Sequence, residues 1–141
     1  MKVEFYELGS IADEKLAYAV IGSIYGGKHI FVKHKDRDTW EIPGGHREDG
    51  EEIEATGKRE LVEETGAVDY SITPICEYSV TRGDVCSYGR LFYSEVFSFG
   101  QLPDLEIGEV RCFKETPENL TYPDIQPYLL KKILDLVQKS R

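Results

Sequence analysis

Three glutamates, Glu60, Glu63 and Glu64, stand at i, i+3 and i+4, the spacing that gathers side chains on one side of a helix. At roughly 100° per residue they span an arc of about 100°. Like charges so placed destabilise an isolated helix. A hard divalent cation, which takes oxygen ligands, makes the same cluster favourable. The cluster closes a segment from Gly44 to Ala67 that opens with a glycine pair after Ile42-Pro43. Between Gly45 and Ala67 eight acids stand against three bases, a net of −5 out of −9 for the whole 141-residue chain. That balance argues against a groove for a nucleic-acid duplex, which needs clustered Lys and Arg. It suits a site where a metal ion carries the positive charge toward an anionic substrate.

A helix must present these carboxylates. Asp49 followed by Glu52 reads as a capping box, so the helix is predicted to start near Asp49 or Gly50, with Gly66 as its stop. Leu61, Val62 and Ala55 lie on the arc away from the carboxylates and are expected to pack on a sheet. Arg59 and Glu63 form an i, i+4 pair. Gly57 costs about 1 kcal/mol relative to Ala in a helix interior. Its presence predicts a close approach there by a neighbouring strand or by substrate.

Strands surround this helix. Val3 to Leu8 alternates, and Ala17 to Tyr25 and His29 to Lys33 form a hairpin about Gly26-Gly27. His34 to Thr39 is charged and turn-like, and Trp40 to Ile42 is extended before Pro43. Tyr70 to Thr81 and Cys86 to Phe99 are long strands joined around Arg82-Gly83-Asp84. The second is apolar on both faces in places, which predicts a central position. Gly108 to Lys114 is a further strand, and Tyr128 to Lys139 is a helix that covers one face of the sheet. No linker or repeat interrupts residues 1 to 141, so one domain is expected.

No apolar run is long enough to span a membrane, and the N-terminus lacks the apolar stretch of a signal peptide. A cytoplasmic location follows as the expectation. Cys76, Cys86 and Cys112 make an odd count without C-x-x-C spacing, so reduced, partly buried thiols are expected rather than disulfides or zinc.

The segment resembles the Nudix box, G-x5-E-x7-R-E-U-x-E-E-x-G-U, where U is a bulky aliphatic residue. Gly45, Glu51, Arg59, Glu60, Leu61, Glu63, Glu64 and Gly66 all fall on it in register. With residue frequencies of ~5–7%, eight such matches at one start point have a chance on the order of 1 in 10⁹. Ala67 departs from the pattern, at a packing position. Taken alone, an E-x-x-E-E cluster is usually a solvated helix face; the register match reverses that reading.

The resemblance implies an α/β (α+β) fold, an α/β/α sandwich around a mixed β-sheet. It also implies a hydrolase that cleaves a phosphoanhydride in a nucleoside diphosphate linked to another group. Mg²⁺, with Mn²⁺ as a substitute, would be held by Gly45 through its carbonyl and by Glu60, Glu63 and Glu64. Glu51 and Arg59 would be structural, Arg59 orienting the carboxylates by charge-assisted hydrogen bonds. The family often adds a carboxylate from a later loop. Glu106 is preferred over Glu109, which falls inside the next strand, and Glu95 is a weaker candidate. Glu63, Glu64 and Glu106 are then the catalytic candidates, with general base and extra ligand both open for Glu106.

Substrate residues are not legible. Nucleoside triphosphates, oxidised ones included, going to monophosphate and pyrophosphate are the leading class. Gly83 stands where ADP-ribose enzymes often carry proline, and Tyr88 is late for the tyrosine of dinucleoside polyphosphate enzymes. ADP-sugar and dinucleoside polyphosphate hydrolysis, prenyl diphosphate isomerisation and a non-catalytic nucleotide sensor are the alternatives. A homodimer is plausible for a small domain of this kind. His46 reads as a hydrogen-bonded loop residue and Trp40 as packing under the glycine loop. Tyr25, Phe31 and Tyr88 are candidates to stack on a base.

Overall fold

The computed structural model describes residues 1–140. Strands β1 (Lys2–Tyr6), β2 (Leu16–Tyr25), β3 (Lys28–His34), β4 (Gly44–His46), β5 (Ala67–Arg82), β6 (Val85–Phe99) and β7 (Ile107–Phe113) alternate with helices α1 (Ile53–Thr65) and α2 (Gln126–Lys139). The strand order is β1-β5-β6-β2-β3-β7, with β4 also paired to β2. Strands β2 and β6 run parallel while the other pairs are antiparallel, so the sheet is mixed. As its two-sided apolar pattern predicts, β6 is central.

Alternation along β6 sends successive side chains to opposite faces. Leu91 packs with Leu129 and Ile133 of α2, and Phe92 packs with Ile53 and Leu61 of α1. The core is therefore two apolar layers, one under each helix, and the expected sandwich is present. Among the described residues no helix is long and apolar enough to cross a membrane. All three cysteines are free thiols in strands; Cys76 is buried and Cys112 half-buried. Cys86 is exposed, because it lies beside the tight β5–β6 turn.

Helix α1 departs from expectation at its start. Its N-cap is Glu52, which makes no side-chain capping bond, and Asp49 lies in a turn before it. Gly50 takes φ 77° in that turn, and Glu51 rather than Asp49 anchors the entry. The Glu51 carboxylate accepts from Thr56 Oγ1 at 2.7 Å and from the Glu48 amide at 3.2 Å. At the other end Gly66 stops the helix in the left-handed region, φ 75°, as expected.

The buried stripe of α1 is Ile53, Thr56, Gly57, Leu61, Glu64 and Thr65. Leu61 packs as predicted and Val62 is half-buried, but Ala55 faces solvent. Glu64 belongs to the packed side of the helix instead of the wet one. Gly57 is explained by a strand. A Cβ there would lie 3.2 Å from Phe92 Cε2 and 3.4 Å from Ile72 Cδ1.

Strand β4 was not legible, since Gly-Gly-His carries no strand propensity. It forms by pairing with β2, Gly45 opposite Ala19 and Gly44 opposite Val20. A Cβ on Gly44 would sit 2.6 Å from the Ala19 carbonyl oxygen, so only glycine lets the strands meet.

Candidate active site

Helix α1 lies across β4, and the contact brings the acidic face against the glycine pair. The Gly44 amide donates to Glu64 Oε1 at 2.9 Å. A Cβ on Gly45 would fall 2.2 Å from Glu60 Oε2, so the Glu60 carboxylate fills the space that glycine leaves. One helix–strand contact thus sets the Glu60 and Glu64 carboxylates against the glycine pair.

Arg59 organises the same face from the side. Its guanidinium donates to Glu51 through Nε (2.8 Å) and Nη2 (3.0 Å), and through Nη1 to Glu60 Oε1 (2.6 Å) and Glu63 Oε2 (3.2 Å). Nη2 also reaches the His46 carbonyl at 3.0 Å, tying the helix to the end of β4. The bidentate bond from Arg59, with help from Thr56, holds the Glu51 carboxyl down to about 2. Charged partners in turn keep Arg59 more firmly protonated than a free arginine.

Glu64 is the opposite case. Only 5% of it is exposed. Burial pushes its carboxyl up to about 8, against the Gly44 hydrogen bond and with the negative charges of Glu60, Glu41 and Glu106 adding to the rise. Glu60 is shifted upward too, mainly by burial, with Arg59 opposing. Six carboxylates (Glu41, Glu48, Glu60, Glu63, Glu64 and Glu106) line the cavity at this site against three arginines (Arg37, Arg47 and Arg59), so its acids outnumber its bases.

Two residues outside the sequence-based candidates join this group. His34, at the end of β3, has Nε2 3.0 Å from Glu41 Oε1 and 3.9 Å from Glu64 Oε2. Its Nδ1 is 3.9 Å from Glu106 Oε2. One ligand atom each from His34, Glu64 and Glu106 lies within 4.8 Å of the others. Glu41 is buried at 7% exposure and pairs with Arg37 at 3.2 Å as well as with His34. The β3–β7 pairing shifts register between Lys33 and His34, where the Lys35 amide bonds the Glu106 carbonyl at 2.9 Å. That irregularity delivers His34 and Glu106 to one place. A charged turn in sequence gave no sign of it.

The other carboxylates fall elsewhere. Glu109 lies on β7 opposite Lys33, paired with Lys33 and Arg111. Glu95 sits on β6 opposite Ile24 and Ser71, within 3.3 Å of the Tyr93 hydroxyl and on the α2 side. Neither lines the cavity that holds Glu60, Glu63, Glu64 and Glu106.

That cavity, about 570 Å³, opens into a second of about 620 Å³, and Glu41, Gly44, Gly45 and Tyr122 line both. The second is walled by Tyr18, Val20, Tyr78, Ile125 and Leu129, between β2, β5 and the start of α2. Tyr25, Phe31 and Tyr88 do not reach either. Phe31 is core, packed edge-on to Phe113, while Tyr25 meets Phe99 and Tyr88 lies under Lys15. Trp40 packs, though on Phe113 and between Lys33 and Arg111 rather than under the glycine loop. His46 is hydrogen-bonded as expected, to the Arg47 carbonyl at 2.7 Å, but it ends strand β4 and pairs with Tyr18 of β2 rather than lying in a loop.

Fold and site together define a class of protein in which an acidic helix, braced by one arginine, presents oxygen ligands beside a glycine strand. Comparison with known proteins identifies the family: residues 15–127 match the NUDIX domain, and the chain belongs to that family. It is 32% identical over 98 residues to a Bacillus subtilis protein provisionally named an 8-oxo-dGTP diphosphatase, covering 69% of this chain and 61% of that one. It is 37% identical over 86 residues to the ADP-ribose pyrophosphatase of Bacillus subtilis, covering 58% and 46%. The chain thus spans less than two thirds of the length of these curated relatives. Among solved structures it resembles a Bacillus subtilis pyrophosphohydrolase with a TM-score of 0.78 at 25% identity, over 94% of this chain and 90% of that one.

Proposed function

We propose that this chain hydrolyses a phosphoanhydride bond in a nucleoside diphosphate linked to another group. The leading substrates are nucleoside triphosphates, oxidised ones included, converted to the monophosphate and pyrophosphate. The observation that carries the reading is the convergence of Glu60, Glu63, Glu64 and Glu106 beside Gly45, at the junction of two cavities.

The donor set fits Mg²⁺. Carboxylate oxygens and a backbone carbonyl are the ligands of a hard cation, and a buried Glu64 with its carboxyl pushed to about 8 marks a place short of positive charge. Gly45, Glu60, Glu63 and Glu64 would hold the ion. When bound, it supplies charge neutralisation of the diphosphate and an activated water at neutral pH. Arg59 fixes the rotamers of Glu60 and Glu63, and Glu51 in turn fixes Arg59. Glu64 and Glu106 are the carboxylates placed to accept a proton from water, and His34 stands within 3.9 Å of both. The second cavity offers the rest of the substrate a surface formed by Tyr18, Val20, Tyr78 and Leu129.

A second reading, ADP-ribose as substrate, draws on the relative of that name. Both are tested by one screen of nucleoside triphosphates, nucleotide sugars and dinucleoside polyphosphates with Mg²⁺ or Mn²⁺, reading phosphate after a coupled phosphatase. Monophosphate and pyrophosphate as products, abolished by chelation, is the expected result. Absence of turnover across the panel would instead favour a nucleotide sensor.

A further inference from the structure

Of the three arginines that line the carboxylate cavity, two are fully engaged by the protein itself. Arg59 gives Nε, Nη1 and Nη2 to Glu51, Glu60, Glu63 and the His46 carbonyl. Arg47 gives Nε to the Glu51 carbonyl at 2.6 Å and Nη2 to the Asp13 carboxylate at 2.9 Å. Its Nη1 bonds the Asp13 carbonyl at 2.8 Å and the Leu16 carbonyl at 3.3 Å. Neither guanidinium keeps two adjacent N–H groups for a ligand.

Arg37 is different. It lies in the turn after β3, and 44% of its side chain is exposed, against 23% for Arg59 and 17% for Arg47. Nη1 donates to Glu41 Oε2 at 3.2 Å, and Tyr122 and Glu41 together hold the guanidinium charged. These contacts leave most of its five N–H donors open. Glu41 is a rigid post for it. That residue is buried, meets His34 Nε2 at 3.0 Å, and exchanges two backbone hydrogen bonds with Val32. Arg37 is thus oriented from behind and open in front.

Its position selects the ligand. Six carboxylates face this cavity, so a phosphate chain entering it meets repulsion that each added cation relieves. A guanidinium matches two non-bridging phosphate oxygens at once. Arg37 lines the carboxylate cavity and not the second one, which receives the rest of the substrate. We infer that Arg37 binds the pyrophosphate half of the substrate, donating to its non-bridging oxygens. The inference rests on the nucleotide hydrolase reading for the identity of the anion.

The test is binding, which needs no turnover. Imidodiphosphate, a non-hydrolysable pyrophosphate analogue, is titrated by calorimetry with Mg²⁺ into the wild type, Arg37→Gln and Arg37→Lys. Losing a charge-assisted pair of hydrogen bonds is expected to weaken it about tenfold or more in Arg37→Gln, and less in Arg37→Lys. A nucleoside 5′-monophosphate should bind all three alike, which separates a lost contact from a disturbed fold. Guanidinium ion should restore imidodiphosphate binding to Arg37→Ala, as a merely structural arginine would not require; melting curves verify that the variants are folded. No binding of imidodiphosphate to the wild type, unchanged affinity in Arg37→Gln, or an equal loss for the monophosphate would each overturn the inference. Arg37-dependent binding without turnover of any nucleotide would keep the phosphate contact and remove the hydrolase reading. Undiminished turnover by Arg37→Gln, with unchanged binding, would do the reverse.

Discussion

Gly45 and Glu60 share one volume: a Cβ on the glycine would lie 2.2 Å from Glu60 Oε2 and 2.3 Å from Glu60 Cδ. The colliding group is the end of a flexible side chain, which can swing away. Gly45→Ala is therefore expected to fold with a loss of less than about 1 kcal/mol but to lose tenfold or more in activity and to need more Mg²⁺. Gly44→Ala meets backbone instead, the Ala19 oxygen at 2.6 Å and Val20 Cα at 3.1 Å. It should cost roughly 1–3 kcal/mol of stability. Denaturant midpoints alongside Mg²⁺ titrations of activity check the pair. Similar profiles for the two variants would refute the distinction.

Arg59 binds three carboxylates at once, so removing it leaves Glu51, Glu60 and Glu63 facing one another. With 23% of its side chain exposed, Arg59→Ala should cost about 2–3 kcal/mol, below the range for fully buried pairs. Arg59→Lys should recover only part, because lysine cannot make the bidentate bond to Glu51. The pH dependence has a definite sign. Glu51 drops from 4.5 to about 2 on folding, so its contribution is present above 4.5 and is lost as pH falls through about 2. Acid unfolding of Arg59→Ala is expected at a pH at least one unit above the wild type; superimposable acid limbs would contradict this role.

These residues also show where sequence was informative. The spacing of Glu60, Glu63 and Glu64, the hairpin glycines and the anomaly at Gly57 are local signals, and each has a local structural cause. His34 and Glu41 left no such signal. Their placement depends on a register shift in the β3–β7 ladder and an isolated bridge between Val32 and Glu41. Those are long-range relations without a period. The misplaced cap at Asp49 and the exposed Ala55 fail for a related reason: Arg59 recruits Glu51, and contact with β4 rotates Glu64 into the packed side.

Gly57 sets helix propensity against packing. Alanine there gains about 1 kcal/mol of propensity, but its Cβ would meet Phe92 at 3.2 and 3.3 Å in a core where Phe92 is 1% exposed. Overpacking costs about 1–3 kcal/mol, so Gly57→Ala should be net destabilising by roughly 1 kcal/mol. Phe92→Leu makes room at its own cost. In the double variant the two effects should sum to less than the separate losses, a coupling measurable by a double-mutant cycle in urea. Strict additivity would mean that Phe92 is not the obstacle.

Glu64 ties stability to pH in the direction opposite to Glu51. Its carboxyl moves from 4.5 in the unfolded chain to about 8 in the folded one, so between those values the folded state holds a proton that the unfolded state has released. Stability of the metal-free protein from this group is therefore full below about 4.5 and declines as pH rises toward 8. Glu64→Gln removes the titration and should flatten that decline, while lowering activity by orders of magnitude. A cation that replaces the proton should restore wild-type stability at pH 8 and should bind more tightly as pH increases. Urea midpoints at pH 5 and pH 8, with chelator and with a Mg²⁺ titration, measure the stability and binding effects, and a turnover assay of Glu64→Gln measures the loss of activity. Parallel behaviour of wild type and Glu64→Gln across that range, or Glu64→Gln with near-normal turnover, would remove Glu64 from the role assigned to it.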